Sequence, residues 1–355
     1  MSKALIAMSG GVDSSVAAYL MKQAGYDCIG VTMKLYSGEA APEAERSKTC
    51  CSLDDVEDAR SVAHRLGIPY YVFNFTGDFR REVMERFVCA YESGATPNPC
   101  IDCNRHLKFD RLYHRAQELG CDCVVTGHYA RIERSGERYL LKKSAVPEKD
   151  QSYVLYALTQ EQLAHTCFPL GGMAKEETRR IAAEQWFFNA DKPDSQDICF
   201  VPDGDYAAFI CRYRGRDYPA GDFVDLDGHV LGRHRGIIHY TLGQRKGLGI
   251  AAGEPLYVVR IEPETNRVVL GRNADLFTRE LDADGMNWIA CDEPTAPLRV
   301  KAKVRYRQAE TWATATVPAP GRLHLVFDAP QRAVTRGQAV VLYDGDTVVG
   351  GGVIR

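Results

Sequence analysis

Apolar and polar positions in the first third of the chain switch between two periods. Residues 3–8 form a short apolar run that ends in a glycine-rich turn, residues 14–24 follow with helical composition, and residues 27–33 are a second apolar run. Val56, Ala59, Val62, Ala63 and Leu66 recur at helical spacing, residues 68–75 return to a strand pattern, and Phe79, Val83, Phe87 and Tyr91 make another helical stripe. Residues 107–119 predict a further helix and 123–126 a strand. This alternation predicts an α/β fold with a doubly wound, mainly parallel sheet, on which ligands bind beyond the carboxyl ends of the strands. Residues 37–49 are polar and rich in small side chains, and read as a mobile surface loop or a lid.

Near residue 200 the pattern changes. A short helix over 205–213 is followed by glycine-punctuated strands at 232–240, 255–261 and 267–270, and from about 280 onward the pattern is of short strands without a helix. The expected organisation is a nucleotide-binding catalytic domain over 1–204, a small β-rich central domain over 205–278 and a C-terminal β-barrel over 279–355. The length of 355 residues agrees with two or three domains.

Composition narrows the class. With 45% hydrophobic and 26% charged residues the chain is neither disordered nor a coiled coil. The apolar run at 4–8 is too short for an export signal, and no stretch reaches the ~18 apolar residues of a membrane span, so a cytoplasmic protein with no membrane partner is expected. Net charge is −3, so a nucleic-acid partner would need a local basic surface. In a reducing compartment twelve cysteines do not imply disulfides, and closely spaced ones become candidates for metal binding or catalysis.

The chemistry begins at SGGVDSS, residues 9–15, between a strand and a helix. There, free main-chain amides and the positive helix end can cradle phosphate. Gly10 and Gly11 permit a sharp turn, Ser9, Ser14 and Ser15 offer hydroxyls, and no Walker motif is present; the plain alternative is a capped glycine turn. The string resembles the signature of the PP-loop ATP pyrophosphatases. That resemblance implies that Ala7, Met8, Ser9, Gly10, Gly11, Val12, Asp13 and Ser14 hold ATP, with Asp13 near a Mg²⁺, and that Met33 and Gly127 contact the nucleotide through their main chain. By pattern alone Met33 is a core residue.

TPNPCIDCN at 96–104 sets Cys100 and Cys103 three residues apart before a helix, a spacing that suits a reactive dithiol or two ligands of one metal. Cys199 stands in SQDICF at 195–200. Cys28, Cys89, Cys121, Cys123, Cys167, Cys211 and Cys291 read as core, and Cys50 and Cys51 are left unassigned. Together with LKFD at 107–110, TGHYAR at 126–131, KDQSYVL at 149–155 and HYTLGQRKGLGI at 239–250, these motifs resemble the tRNA-specific 2-thiouridylases.

The resemblance implies adenylation of the wobble-uridine O2 of tRNA by ATP, followed by attack of sulfur on C2. Cys199 would carry a persulfide received from a donor protein, and Cys103 would be the nucleophile, leaving a Cys103–Cys199 disulfide. One branch of the family has Asp at the position of Cys100; here Asp102 could substitute for it. Alternatively, Cys100, Cys103 and Cys199 would hold a four-iron, four-sulfur cluster with one iron open to sulfide. The resemblance also implies that Asn98, Pro99 and Cys100 border the target base and that Lys149, Asp150, Gln151, Arg305, Tyr306 and Gln338 touch tRNA. His128 is either an RNA contact or a structural histidine.

Basic residues alternate at 299–307: Arg299, Lys301, Lys303, Arg305 and Arg307 fall on one face, with Val300, Ala302, Val304 and Tyr306 on the other. The first face would meet phosphates or simply face solvent. Residues 212–246 hold seven Arg or Lys against four Asp, including Arg233, Arg235, Arg245 and Lys246, a second candidate phosphate contact. Two other readings remain: a PP-loop ligase that adenylates a small-molecule carbonyl, which would not need the three cysteines, and a metal-bearing RNA-binding module, for which SGGVDSS would be superfluous. Oligomeric state is not encoded in these patterns.

Overall fold

The computed structural model describes residues 2–36, 53–193 and 198–355. The loop expected at 37–49, Cys50, Cys51 and residues 194–197 lie outside them. In order, the elements are β1 (Lys3–Ala7), α1 (Val12–Gln23), β2 (Asp27–Lys34), α2 (Leu53–Leu66), β3 (Tyr70–Asn74), α3 (Thr76–Phe79), α4 (Glu85–Glu92), α5 (Pro99–Asp102), α6 (Leu112–Glu118), β4 (Cys123–Val125), β5 (Ala130–Ser135) and β6 (Arg138–Lys143). They continue with α7 (Gln160–Ala164), β7 (Thr166–Cys167), α8 (Lys175–Glu184), α9 (Tyr206–Arg214), β8 (Gly221–Val224), β9 (Val230–His234), β10 (Tyr257–Glu262) and β11 (Arg267–Gly271). The last six strands are β12 (Phe277–Trp288), β13 (Leu298–Lys303), β14 (Thr311–Thr316), β15 (Arg322–Arg332), β16 (Ala339–Asp344) and β17 (Thr347–Ile354).

The chain divides into two compact units. The first comprises residues 1–83, 100–203 and 345–349, and the second 84–99, 204–344 and 350–355. The first is built on a parallel sheet in the order β3-β2-β1-β4-β7, as the alternation predicts. Chain order reverses between β1 and β4, which opens a crevice at their carboxyl ends. Ala4, Ile6 and Met8 join Val16, Ala17 and Ala18 of α1, Ala59 and Val62 of α2 and Ala182 of α8 in one cluster. Burying a side chain such as Ile6 contributes about 1.5–3 kcal/mol. A hairpin the patterns did not predict, β5–β6, pairs Lys142 with Thr347, and Arg131 holds Asp346 at 2.8 Å.

Between α5 and α6 the helix is wound more widely, with π-type turns over Cys103–Arg111, where the apolar stripe predicts ordinary helix from residue 107. Such winding is uncommon and favours functional positions.

The second unit contains a four-stranded sheet, β10-β11-β8-β9, and a closed six-stranded antiparallel barrel in the order β12-β15-β14-β13-β16-β17, closed by pairing of β12 with β17 from Ala283↔Ile354 to Trp288↔Gly350. Closure leaves the barrel no open edge. The strand expected over 232–240 stops at His234, because Gly236 takes φ 117° and residues Ile237–His239 turn as a short 3-10 helix. α9 is capped by the Asp205 side chain, which accepts from Ala208 N at 2.9 Å, and ends at Gly215 with φ 66°. Phe87, Tyr206 and Phe209 pack edge to face with centroids 5.9 and 6.1 Å apart.

Leu325 is fully buried in the barrel. Leu325→Ala should therefore lower the stability of the second unit by about 2–5 kcal/mol, read by urea unfolding followed at Trp312.

Candidate active site

The ladder of β1 extends one residue past the strand, with Met8 N–H donating to Val31 O at 2.8 Å, before the chain turns at Gly10, φ 74°. A Cβ at Gly10 would lie 2.4 Å from the Asp55 carbonyl oxygen, so the turn can press on the start of α2 only with glycine. Gly11 caps α1 in an extended conformation with no side-chain cap, which leaves the first-turn amides directed into the crevice. A Cβ at Gly127 would lie 2.8 Å from Ser14 N, so β4 closes on the same helix end. Asn189 Nδ2 donates to Gly10 O and Ser15 Oγ, both at 2.9 Å. The Ser14 and Ser15 hydroxyls donate to Gly11 O at 3.0 and 3.1 Å, so they brace the loop from within. Met33 is buried at the carboxyl end of β2, in register with Phe73.

Asp13 is held by Tyr129, from TGHYAR, and by Lys175, which no motif marked. The buried Lys175 ammonium lies 2.7 and 2.8 Å from its two oxygens, and the Tyr129 hydroxyl donates to Oδ1 at 2.7 Å. For Asp13 to meet a Mg²⁺, as the resemblance implies, it would have to exchange the Lys175 ion pair for the metal. A second cation, Lys192, bridges Asp55 at 2.6 Å and Asp58 at 2.7 Å. Burial disfavours its charge, but the two carboxylates more than offset this and raise its pKa. Tyr129 falls inside TGHYAR; Lys175, Asn189 and Lys192 carry no local signal.

Cys100 is exposed in α5, Asp102 is half-buried at its end, and the half-buried Cys103 opens the widely wound stretch. The next residue, Asn104, is buried and donates to Val154 O at 3.0 Å, which fixes this turn.

The half-buried Cys199 is seated through its main chain: the Tyr36 hydroxyl donates to Cys199 O at 2.9 Å, and Tyr36 stands just past the end of β2. Phe79 of α3 packs on both Tyr36, at 6.2 Å, and Phe200, at 5.6 Å. From the same α3, Asp78 meets Arg111 of the Cys103 stretch at 3.6 Å. One short helix thus touches both cysteine segments at the edge of the sheet where β2 ends.

Among the described residues, only Asp225, Asp227 and His229 bring three ligand atoms within 4.8 Å of one another, so Cys100, Cys103 and Cys199 do not converge on one metal ion. A four-iron cluster, in which each thiolate takes a different iron, needs a wider spacing, and three thiols from two segments suit it as donors.

His128 is wedged between Phe109 and Phe168 at 5.9 and 5.8 Å, with Nδ1 2.7 Å from Thr126 Oγ1. Burial, with Lys108 nearby, holds its pKa well below the usual histidine range, so the ring is neutral. Asp150 accepts from Ser144 N and Ser152 N, both at 3.1 Å, and Gln151 accepts from Tyr129 N at 2.9 Å, so both brace the turn that carries half-buried Lys149.

In the second unit, Gln338 Nε2 donates to Thr96 O at 2.7 Å, tying the barrel to the irregular segment over 95–98 that precedes α5. The alternation at 299–307 holds only to the end of β13 at Lys303. Val300, Ala302 and Val304 are buried, but the following turn puts Tyr306 on the surface, contrary to its expected inward face. Nor do the cations form an open row. Arg299 pairs with Asp328, Arg305 donates to Ala333 O and Thr335 Oγ1 at 2.9 and 2.7 Å, and Lys301 lies 5.3 Å over Trp312. Arg245 and Lys246 are exposed on a glycine-rich loop.

A parallel sheet with a glycine phosphate loop at its β1/β4 crossover and an acidic residue in the first turn of the following helix defines a nucleotide-binding α/β protein of the PP-loop class. The tRNA methyl transferase HUP domain model matches residues 2–203, the tRNA methyl transferase PRC-barrel domain model 207–272, and the aminomethyltransferase beta-barrel domain model 278–354. The tRNA-specific 2-thiouridylase MnmA of Clostridioides difficile is 53% identical over 355 residues, covering 99% of this chain and 98% of the relative. That of Lachnoclostridium phytofermentans is also 53% identical, over 100% and 99%, and that of Acetivibrio thermocellus 51%, over 99% of each. The chain belongs to the tRNA-specific 2-thiouridylase family.

Two outcomes follow from this geometry. Lys175→Met should weaken ATP binding about tenfold by calorimetry, because Asp13 loses its cation beside the phosphate loop. Gly10→Ala should abolish nucleotide binding and lower the melting temperature, since neither the left-handed turn nor the approach to Asp55 tolerates a methyl group.

Proposed function

We propose that this chain is an ATP-dependent tRNA uridine 2-sulfurtransferase acting on the wobble position. The observation that carries the reading is shared placement: the phosphate loop and the Cys199 segment both lie at the carboxyl edge of one parallel sheet, and α3 links the Cys199 and Cys103 segments. The main-chain cradle over Ala7–Ser14 binds the triphosphate with Mg²⁺, and uridine O2 attacks the α-phosphate, releasing pyrophosphate and turning O2 into part of an AMP leaving group. A donor protein's persulfide passes its outer sulfur to the Cys199 thiolate, and the donor leaves as a thiolate. The Cys199 persulfide attacks C2, AMP departs, and Cys103 attacks Cys199 Sγ. This frees 2-thiouridine and leaves a Cys103–Cys199 disulfide for later reduction.

Neutral His128 lines the approach of the base, and Asp102 is the carboxylate offered where Cys100 stands; Asn98 and Pro99 are further candidate contacts of the base. A base in a single-stranded anticodon loop can be turned out toward these thiols without melting a helix. Residues 1–204 form the catalytic domain, and residues 205–278 and 279–355 supply tRNA contacts through Arg245, Lys246, Tyr306 and Gln338, while Arg305 holds the 333–335 turn. No helix among the described residues is long and apolar enough to cross a membrane. The use of ATP, tRNA and reduced thiols together favours the cytoplasm.

The cysteine at position 100 favours a second reading, in which Cys100, Cys103 and Cys199 would hold a four-iron cluster able to supply sulfide for the activated base. Incubation with ATP, Mg²⁺, unmodified tRNA and glutathione persulfide, followed by nucleoside mass analysis, separates the two. The persulfide route predicts that Cys103→Ser and Cys199→Ser lower 2-thiouridine more than 100-fold with ATP affinity unchanged, while Cys100→Ser stays within about tenfold of wild type. About four irons per anaerobically purified chain, with complete loss in Cys100→Ser, would establish the cluster instead. Failure of all forms to thiolate tRNA would overturn both readings.

A further inference from the structure

Asn104, next along the chain from Cys103, is 1% exposed, and its side-chain amide is only half used. Nδ2 donates to Val154 O at 3.0 Å, while no group among the described residues meets Oδ1. The carbonyl partner settles which end of the amide is the nitrogen, so the unmet oxygen does not come from a flipped side chain. A buried polar atom left without a bond costs at least as much as one ordinary bond returns. The fold therefore gains little from an amide at this position, and its single directed bond calls for another purpose.

That bond closes a chain of contacts that starts at the phosphate loop. The Tyr129 hydroxyl donates to Asp13 Oδ1 at 2.7 Å. Tyr129 and Gln151 are joined twice, with Tyr129 N donating to Gln151 Oε1 and Gln151 N donating to Tyr129 O, both at 2.9 Å. Gln151 opens the 3-10 turn Ser152–Leu155, in which Val154 N donates to Gln151 O at 3.2 Å. Val154 in turn accepts from Asn104. Every residue of this chain is buried or half-buried, and all lie in the first unit. The tie of the Cys103 stretch to α3, Arg111 with Asp78, is by contrast a long and part-exposed ion pair, of the kind that fixes little. Asn104 is a buried anchor one residue from the thiol, at the start of the widely wound stretch.

We infer that Asn104 is a positioning residue for sulfur transfer: its grip on Val154 holds Cys103 in a fixed place relative to the phosphate loop, so that the thiol can reach Cys199 Sγ when the activated base has taken the sulfur. The inference rests on the persulfide reading above. In that reading C2 is joined to Cys199 through a disulfide once AMP has left. The Cys103 thiolate then forms a bond to Cys199 Sγ, the bond from Sγ to the outer sulfur breaks, and 2-thiouridine leaves with that electron pair. The two cysteines are oxidised to a disulfide and the transferred sulfur is reduced.

The test uses full-length protein charged at Cys199 with glutathione persulfide, freed of thiol by gel filtration and mixed with ATP, Mg²⁺ and unmodified tRNA. Asn104→Leu exchanges one unmet oxygen, its own, for another, that of Val154, and should melt within a few degrees of wild type. It should release pyrophosphate within about threefold of the wild-type rate yet form 2-thiouridine about tenfold or more slower, since misplacing a reacting group by about an ångström costs on the order of 100-fold. In place of product, tRNA should accumulate on the protein through Cys199, to be freed as 2-thiouridine by later addition of dithiothreitol. A merely structural residue would leave no such adduct.

Equal loss of pyrophosphate release and of 2-thiouridine, with a lowered melting temperature, would make Asn104 structural and overturn the inference. Unchanged thiolation, or slow thiolation without the tRNA adduct, would overturn it likewise. Full product from Cys103→Ser, or none from the wild type, would show instead that the persulfide reading has failed, and the inference would fall with it.

Discussion

The press of Gly10 against the main chain of Asp55 is the contact on which the nucleotide end depends. Because no side chain intervenes, the loop leaving β1 can tuck under the start of α2 and open the first turn of α1 over the crevice between β1 and β4. Around that bend the chain gathers charged groups from distant segments: Lys175 and Tyr129 on Asp13, Lys192 on Asp55 and Asp58, and Asn189 on Gly10 itself. Each tether fixes the loop from a different side. The cradle is therefore held in shape before any phosphate arrives, which lowers the ordering cost of binding.

The parallel sheet and the phosphate loop were readable from the chain because their signals are local: runs of apolar residues at strand or helix period, and glycines at a strand-to-helix turn. Cys100, Cys103 and Cys199 stood out by spacing and context. Lys175, Asn189 and Lys192 did not, because a lysine at the start of an amphipathic helix looks like any solvated lysine until the fold brings Asp13 within 2.7 Å. Period also misled where a strand ended early. The alternation through 299–307 continues past Lys303, but the backbone does not, and so Tyr306 faces outward and Arg305 turns to main-chain carbonyls. Gly236 cut the strand expected over 232–240 for a similar reason, a backbone angle that only the folded chain displays.

The second unit shows how a nearly neutral chain can still offer local positive charge. Closing the barrel through β12 and β17 removes exposed edges, and several of its basic side chains serve the fold, Arg299 on Asp328 and Arg305 on the 333–335 turn. Outward stand half-exposed Lys301 over Trp312, Tyr306, Arg307, Arg233, Arg235 and the Arg245–Lys246 pair on a glycine loop.

Tyr36 grips Cys199 by its carbonyl oxygen. The handle and the working atom of this residue are therefore separate. On the persulfide route proposed above, exchanging sulfur for oxygen at position 199 would remove the chemistry and leave the grip intact, so a serine there reports on reactivity with the polypeptide still parked at the end of β2. A thiol so mounted can also change its oxidation state, from thiolate to persulfide to disulfide, while its peptide group keeps the same berth.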